Sequence, residues 1–314
     1  MSSSSAPTPS GIRRRVEGDN LWLERAGEGR LAERVPLQIN YEVMESEEAV
    51  GRAMFDEIET AARETEGDLT VVIVGGRGGQ ALHRLLGEKA KTTEVDHLLS
   101  RLNVFTQDAL APMRMDNAFS FVRDFERLLG DEFFKKIKSF TSMQTDAPDL
   151  ESGLIKYLEI LKSRGPIDIF FLGLGPEASA ASHLAYIKPG SGATATDIAG
   201  LIPISASILE HHITKFKAGG TKFNETDEAE CRNATHILTL GPAAILSAKR
   251  IVQSIVDADT APAKRASFQR LIETQISDDD ETRARQLDEN PGLWIRLNPN
   301  VRSLVLRTVL TTSN

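Results

Sequence analysis

The sequence predicts an α/β protein with a doubly wound, mainly parallel sheet and helices on both faces, a Rossmann-like arrangement. Two observations predict it. Short runs such as "LTVVIVGG" (69–76) and "IDIFFLGLG" (167–175) are apolar at nearly every position, as strands buried on both faces are. Segments of helical periodicity alternate with these runs, without internal repeats or low-complexity linkers, which is the order that builds a parallel sheet.

Along the chain, residues 1–20 are rich in Ser, Pro and Arg and read as a flexible tail, because such a composition buries too little apolar surface to offset ordering. Trp22 and Leu23 are expected to dock on the domain that fills residues 21–314. A helix over "AVGRAMFDEIETAARE" precedes the strand at 69–76, and another over "GQALHRLLGEKA" follows it. The further strand candidates are "LNVFTQ" (102–107), 167–175, "HILTL" (236–240) and "RSLVLRTVL" (302–310). Helices are expected over "AFSFVRDFERLLG", "DLESGLIKYLEILKS" and "PAAILSAKRIVQSIVDA".

At 314 residues and 40% hydrophobic, the chain can bury a substantial core. A formal net charge of −8 argues against nonspecific nucleic-acid binding, and the basic triplet Arg13, Arg14 and Arg15 reads as part of the solvated tail. The single cysteine, Cys231, excludes an internal disulfide and a cysteine metal cage, which fits a reducing compartment. With no signal-like segment and no long apolar run, the expected location is cytoplasmic and off the membrane. The sequons at Asn224 and Asn233 are then incidental. The acidic run "DDDETRARQLDEN" (278–290) reads as a solvated loop.

Doubly wound sheets bind ligands beyond the carboxyl ends of their strands. The loops there are "GGRGGQ", "TQDALAP", "GLGPEASAASH" and "LGPAA". In the first, Gly75, Gly76, Gly78 and Gly79 let backbone N–H groups and a helix N-terminus approach an anion, with Arg77 as a charged clamp. It matches neither the dinucleotide fingerprint nor a Walker loop. Asp108 follows an apolar strand, where a partly desolvated carboxylate can move protons. Gly241 opens the last loop. His211 and His212 are adjacent in an amphipathic stretch and point to different helix faces, poor geometry for one metal, so no metal is expected there. His83 and His97 read as ordinary surface or helix residues.

Taken together, these loops resemble the glucosamine-6-phosphate deaminase and 6-phosphogluconolactonase family over roughly residues 40–310. "GGRGGQALHRLL" is similar to the family's phosphate loop, without its Ser and Thr. "FTQDALAP" resembles the deaminase Phe-Asn-Met-Asp-Glu motif, so that Asp108 matches the carboxylate that moves the C2 proton, with Ala109 in place of the neighbouring acid. "LTLGPAAILSAKR" and "LWIRLNPNVRSLVLR" resemble the family's later motifs.

The loop from Gly173 and Gly175 onward aligns in two ways. Without a gap, Glu177, Ala178 and Ser179 take the places of the family's Asp-Gly-His. With four residues inserted, "HLAYIKP" overlays His-Ile-Ala-Phe-Asn-Glu-Pro, giving His183 the catalytic place and Lys188 that of the glutamate; this register is preferred. The family's phosphate-holding arginines are replaced by "TATDIAGL", for which Arg77 could compensate.

The resemblance implies a single-domain sugar-phosphate enzyme of the deaminase/isomerase type, with Asp108 as base, His183 and Glu177 assisting ring opening, and no metal or organic cofactor. Gly75–Gly79, Gly173, Gly175, Ser179, Lys188 and Gly241 are the expected substrate and phosphate contacts. The expected partner is a phosphorylated sugar, and the family allows a homo-oligomer. The alternatives are a 6-phosphogluconolactonase-like hydrolase, a sugar-phosphate-binding protein that has lost its chemistry, and a structural role.

Overall fold

The computed structural model describes residues 14–17, 38–177 and 179–311. Its core is a seven-stranded sheet. In chain order its strands are β2 (Tyr41–Met44), β3 (Leu69–Ile73), β4 (Leu102–Thr106), β6 (Ser139–Thr141), β7 (Ile169–Leu172), β10 (Arg250–Ile255) and β11 (Val301–Leu306). They lie side by side in the order β2-β11-β10-β7-β3-β4-β6, and every neighbouring pair is parallel. β3, β4 and β7 are buried at every position, as their unbroken apolar runs require.

A second, four-stranded antiparallel sheet runs β1-β8-β9-β5, with β1 (Arg14–Glu17), β5 (Asp108–Ala111), β8 (Asp197–Pro203) and β9 (His236–Leu240). Only Gln107 separates β4 from β5. Its backbone N–H donates to Ile73 O at 3.1 Å and its carbonyl accepts from Leu240 N at 3.1 Å, so one residue is pinned to both sheets.

Helices cover the large sheet. α1 (Glu47–Glu64) starts at Ser46, whose hydroxyl accepts from Ala49 N, with Glu47 and Glu48 in the first turn and Arg63 in the last. α2 (Arg77–Ala90) packs between α1 and α4 (Phe121–Lys136), and α3 (Asp96–Leu99) is a single turn. α5 (Leu150–Ser163), α6 (Ala206–Ala218), α7 (Glu225–Arg232) and α8 (Pro242–Leu246) follow. α9 (Ala263–Glu273), α10 (Asp280–Glu289), a 3-10 helix (Pro291–Leu297) and α11 (Arg307–Leu310) complete the chain. Phe105, Phe125, Phe133, Phe170 and Phe171 anchor the core.

The strand order changes direction between β3 and β7: β4 and β6 lie on one side, β10 and β11 on the other. That is the topological switch point, and the loops leaving β3 and β7 meet above it. A side chain on Gly78 would lie 3.3 Å from Gly173 Cα, which measures how closely the two loops approach.

Several local expectations are corrected. The helix expected over 242–258 is only α8, and Arg250–Ile255 is a central strand; its β-branched run "RIVQSI" is buried almost throughout, which favours the sheet over helical periodicity. "HILTL" is a strand, but of the antiparallel sheet. Residues 14–17, read as tail, pair with β8, Arg15 opposite Gly200, because an edge strand's unpaired backbone groups reward any neighbour. The remainder of 1–20, with Trp22 and Leu23, lies outside the described residues. The acidic run 278–290 contains helix α10, which buries Arg283 and Leu287. Of the two positions expected for His83, surface or helix, the structure gives the helix: it lies in α2, fully buried against Phe125. Asn224 and Asn233 are the N-cap and C-cap of α7.

Candidate active site

A cleft opens at the switch point, lined by the loops after β3 and β7, the β4–β5 junction, one face of α6, and the segment between β10 and α9. Of the residues expected from sequence, Gly75, Gly76, Arg77, Gly78, Asp108, Gly173, Gly175 and His183 line it. Gly76 holds φ at 66°, a conformation that favours glycine, and caps α2 with no side chain. The helix therefore enters with Gly76, Arg77 and Gly78 in the wall of the cleft.

Asp108 opens β5 and is 2% exposed. Burial pushes its carboxyl up to about 7, and the hydrogen bond from Gln107 Nε2 to Oδ2, 2.5 Å, opposes this only in part. Tyr186 lines the same part of the cleft. Its phenol is raised by burial and then by the charge on Asp108, so it stays a protonated donor.

His183 is buried beside it, with ring centroids 6.2 Å apart. The His183 backbone N–H donates to Gly175 O at 2.7 Å, and its Nε2 is 2.6 Å from Glu177 Oε1. The bond from His183, then the charges of His183 and Lys188, outweigh burial and hold the Glu177 carboxyl below its ordinary value. An ionised carboxylate only accepts, so Nε2 carries the proton and donates. Nδ1 is buried with no hydrogen-bond partner among the described residues. In the neutral imidazole it is the lone pair, able to take a proton from a hydroxyl.

The opposite part of the cleft is cationic. Arg77, Lys215 and Lys264 gather around Asp257: Lys215 Nζ is 2.7 Å from Asp257 Oδ2, and Arg77 Nε is 3.9 Å from Oδ1. Arg77 also pairs with Glu47 and donates to Gln80 Oε1 at 3.2 Å. Lys264 is 7% exposed and donates to Val256 O at 3.0 Å. Burial pulls its ammonium down to about 8, against the pull of Asp257. Burial raises the Asp257 carboxyl, but Lys215, Thr260 and Lys264 outweigh that and leave it lowered. Three cations thus face two carboxylates, Glu47 and Asp257, beside a helix N-terminus. His211, lowered by burial and by Lys215 and Lys264, lies within electrostatic range of both this cluster and His183.

Sequence reading missed Lys215, Lys264, Asp257, Gln107 and Tyr186. One signal was present: Ile208, His211 and Lys215 recur at helical spacing on α6, and all three line the cleft. Asp257 and Lys264 gave none: Asp257 fell at the end of the helix expected over 242–258, and Lys264 lay beyond every element expected there.

The other expected site residues lie off the cleft wall. Glu177 reaches it only through His183. Ser179 presents its carbonyl to Arg270 Nη1 at 3.3 Å, and Lys188 acts on Glu177 by charge alone. Side chains on Gly79 or Gly241 would lie 2.3 Å from Val74 O and 2.2 Å from Asp197 O, so both glycines serve close packing. His212, by contrast, lines the cleft; it is buried, stacked on Phe216 at 4.3 Å, with Nε2 at 2.8 Å from Phe119 O. Among the described residues no group of three or more His, Cys, Asp or Glu is placed to hold a metal ion, and no helix is long and apolar enough to cross a membrane.

No family model matches the chain. It is 24% identical to the glucosamine-6-phosphate deaminase of Bacillus pumilus over 190 residues, 60% of this chain and 69% of the relative. The solved structure of a monomeric glucosamine-6-phosphate deaminase covers 86% of this chain and 98% of its own, with a TM-score of 0.62 at 19% identity. The 6-phosphogluconolactonase of Thermotoga maritima covers 85% and 98%, with a TM-score of 0.56 at 14% identity. The fold is the mostly parallel α/β fold that these deaminases and lactonases share. The chain is thus similar in sequence to glucosamine-6-phosphate deaminases, and in fold to both these deaminases and 6-phosphogluconolactonases.

Proposed function

We propose that the cleft is the active site of a cytoplasmic sugar-phosphate enzyme of the glucosamine-6-phosphate deaminase/isomerase type. One observation carries the reading. A buried carboxyl titrating near neutrality and a cluster of three cations occupy separate parts of one cleft, at the switch point of the sheet.

The cations and the N-terminus of α2 suit a phosphate dianion, which would replace the carboxylates' partial neutralisation of Arg77, Lys215 and Lys264. This supplies by other elements what the absent arginines supply in the resembling motif. His183, fixed by Glu177, takes a proton at Nδ1 from the anomeric hydroxyl and gives it to the ring oxygen as the C1–O5 bond breaks, so the ring opens to the aldehyde and a free C5 hydroxyl. Asp108 then removes the C2 proton and returns it to C1, with Tyr186 donating to the developing oxyanion. With an amino group at C2, the product is an imine that water cleaves to the ketose phosphate and ammonia. These steps need no metal.

The test is turnover of glucosamine 6-phosphate and of 6-phosphogluconolactone by the wild type and by Asp108→Asn. The reading expects fructose 6-phosphate and ammonia from the first substrate and loss of both in the variant. Acceleration of lactone hydrolysis alone would transfer the assignment to a lactonase. Binding of both without turnover would identify a sugar-phosphate sensor.

A further inference from the structure

The amide of Gln107 is only half used. Nε2 donates to Asp108 Oδ2, and Oε1 is buried with no hydrogen-bond partner among the described residues, although Gln107 lines the cleft. The orientation of the amide follows from chemistry: an ionised carboxylate accepts only, so the nitrogen faces Asp108 and the oxygen faces away. The backbone of the residue is held by Ile73 on one sheet and Leu240 on the other, which fixes the point from which the side chain departs. A buried carbonyl left unpaired is destabilising, and one that persists at the wall of a ligand cleft calls for a partner brought by the ligand.

We propose that Gln107 is a specificity-determining residue, whose Oε1 accepts a hydrogen bond from a hydroxyl or ammonium on the carbon that Asp108 deprotonates. The proposal rests on the sugar-phosphate reading of the cleft. Gln107 and Asp108 are consecutive, are joined by one hydrogen bond and both line the cleft, so the proposal places the groups they meet on one carbon. While Asp108 is ionised and able to act as base, Oε1 offers only an acceptor. A substrate with a methylene there would strand it, and a site built to bond a substrate hydroxyl rejects the analogue that lacks one.

The test is equilibrium binding of glucose 6-phosphate and 2-deoxyglucose 6-phosphate to the intact protein, with glucosamine 6-phosphate turnover as a third arm. In the wild type the deoxy sugar should bind at least about tenfold more weakly. Gln107→Met, similar in volume, should bring the two sugars within about twofold of each other. Gln107→Glu keeps an acceptor and should preserve the discrimination, giving a second readout if the Met variant does not fold. A lower KM for glucosamine 6-phosphate than the glucose 6-phosphate Kd would identify ammonium as the preferred donor; the reverse would identify hydroxyl. Equal wild-type binding of the two glucose derivatives, or discrimination that survives Gln107→Met, would overturn the proposal and leave the sugar-phosphate reading standing. Binding of none of the three would overturn both.

Discussion

His183 Nε2 lies 2.6 Å from Glu177 Oε1, so a carboxylate six residues upstream fixes the imidazole. The pair selects the tautomer with the proton on Nε2 and leaves Nδ1 as the base. Glu177→Gln removes the charge that enforces this choice. The variant should keep its KM and lose roughly 10–100-fold in kcat on the pyranose, a positioned proton transfer being worth 10²–10⁴ in total. Steady-state kinetics check this. An unchanged kcat would remove the pair from ring opening.

The pH profile follows from Asp108 and Lys264. Asp108 must be ionised to act, so kcat/KM should rise with pH through about 7; Lys264 must be charged to hold phosphate, so it should fall above about 8. A bound phosphate dianion favours the ammonium, so the alkaline limb of kcat should lie higher than that of kcat/KM. Lys264→Arg, which stays charged, should abolish the alkaline fall in kcat/KM.

Stability should also record the buried carboxyl. Asp108 has its pKa raised in the folded state, so its contribution is fully present below 3.8 and is lost as pH rises through about 7. The move from 3.8 to about 7 corresponds to a ceiling of about 4 kcal/mol. Asp108→Asn should therefore be more stable than wild type at pH 8, by on the order of 1–3 kcal/mol, with the advantage vanishing near pH 3. Denaturant unfolding at both pH values measures it.

His83 gives the opposite sign. Burial holds its imidazole neutral, down to about 3, and neither ring nitrogen has a hydrogen-bond partner among the described residues. Its contribution is present above the ordinary 6.5 and lost as pH falls toward 3. His83→Leu should flatten the acid limb of the stability curve between those values and leave turnover unchanged. Thermal melts at pH 7 and pH 4.5 are sufficient.

The large sheet was legible where strands were apolar at every position, as in β3 and β7. It was misread at β10, because "RIVQSI" carries Arg, Gln and Ser within a central strand. Those polar groups have structural partners: Ser254 Oγ donates to Gly78 O at 2.5 Å, and Ser303 Oγ donates to Gln253 Oε1 at 3.0 Å. Periodicity cannot anticipate such bonds. The small antiparallel sheet was invisible for a related reason, since its strands come from four separated stretches and only the register between them defines it.

At the site, Asp108 and the glycine loops were legible because strand ends announce themselves locally. The cations around Asp257 were not. Lys215 and Lys264 come from α6 and α9, helices separated by two strands, and their convergence on one carboxylate is a product of the fold. The Glu177–His183 bond reconciles the two registers considered for the loop, since each contributed one member of the pair.

The central claim is that Asp108 moves a carbon-bound proton of a phosphorylated sugar held in this cleft. The most direct measurement is proton and phosphorus NMR of glucosamine 6-phosphate with the protein in deuterated water, wild type against Asp108→Asn. The account predicts fructose 6-phosphate carrying deuterium at C1 with the wild type, and neither conversion nor exchange with the variant. An unchanged wild-type spectrum, or exchange that persists in Asp108→Asn, would contradict it.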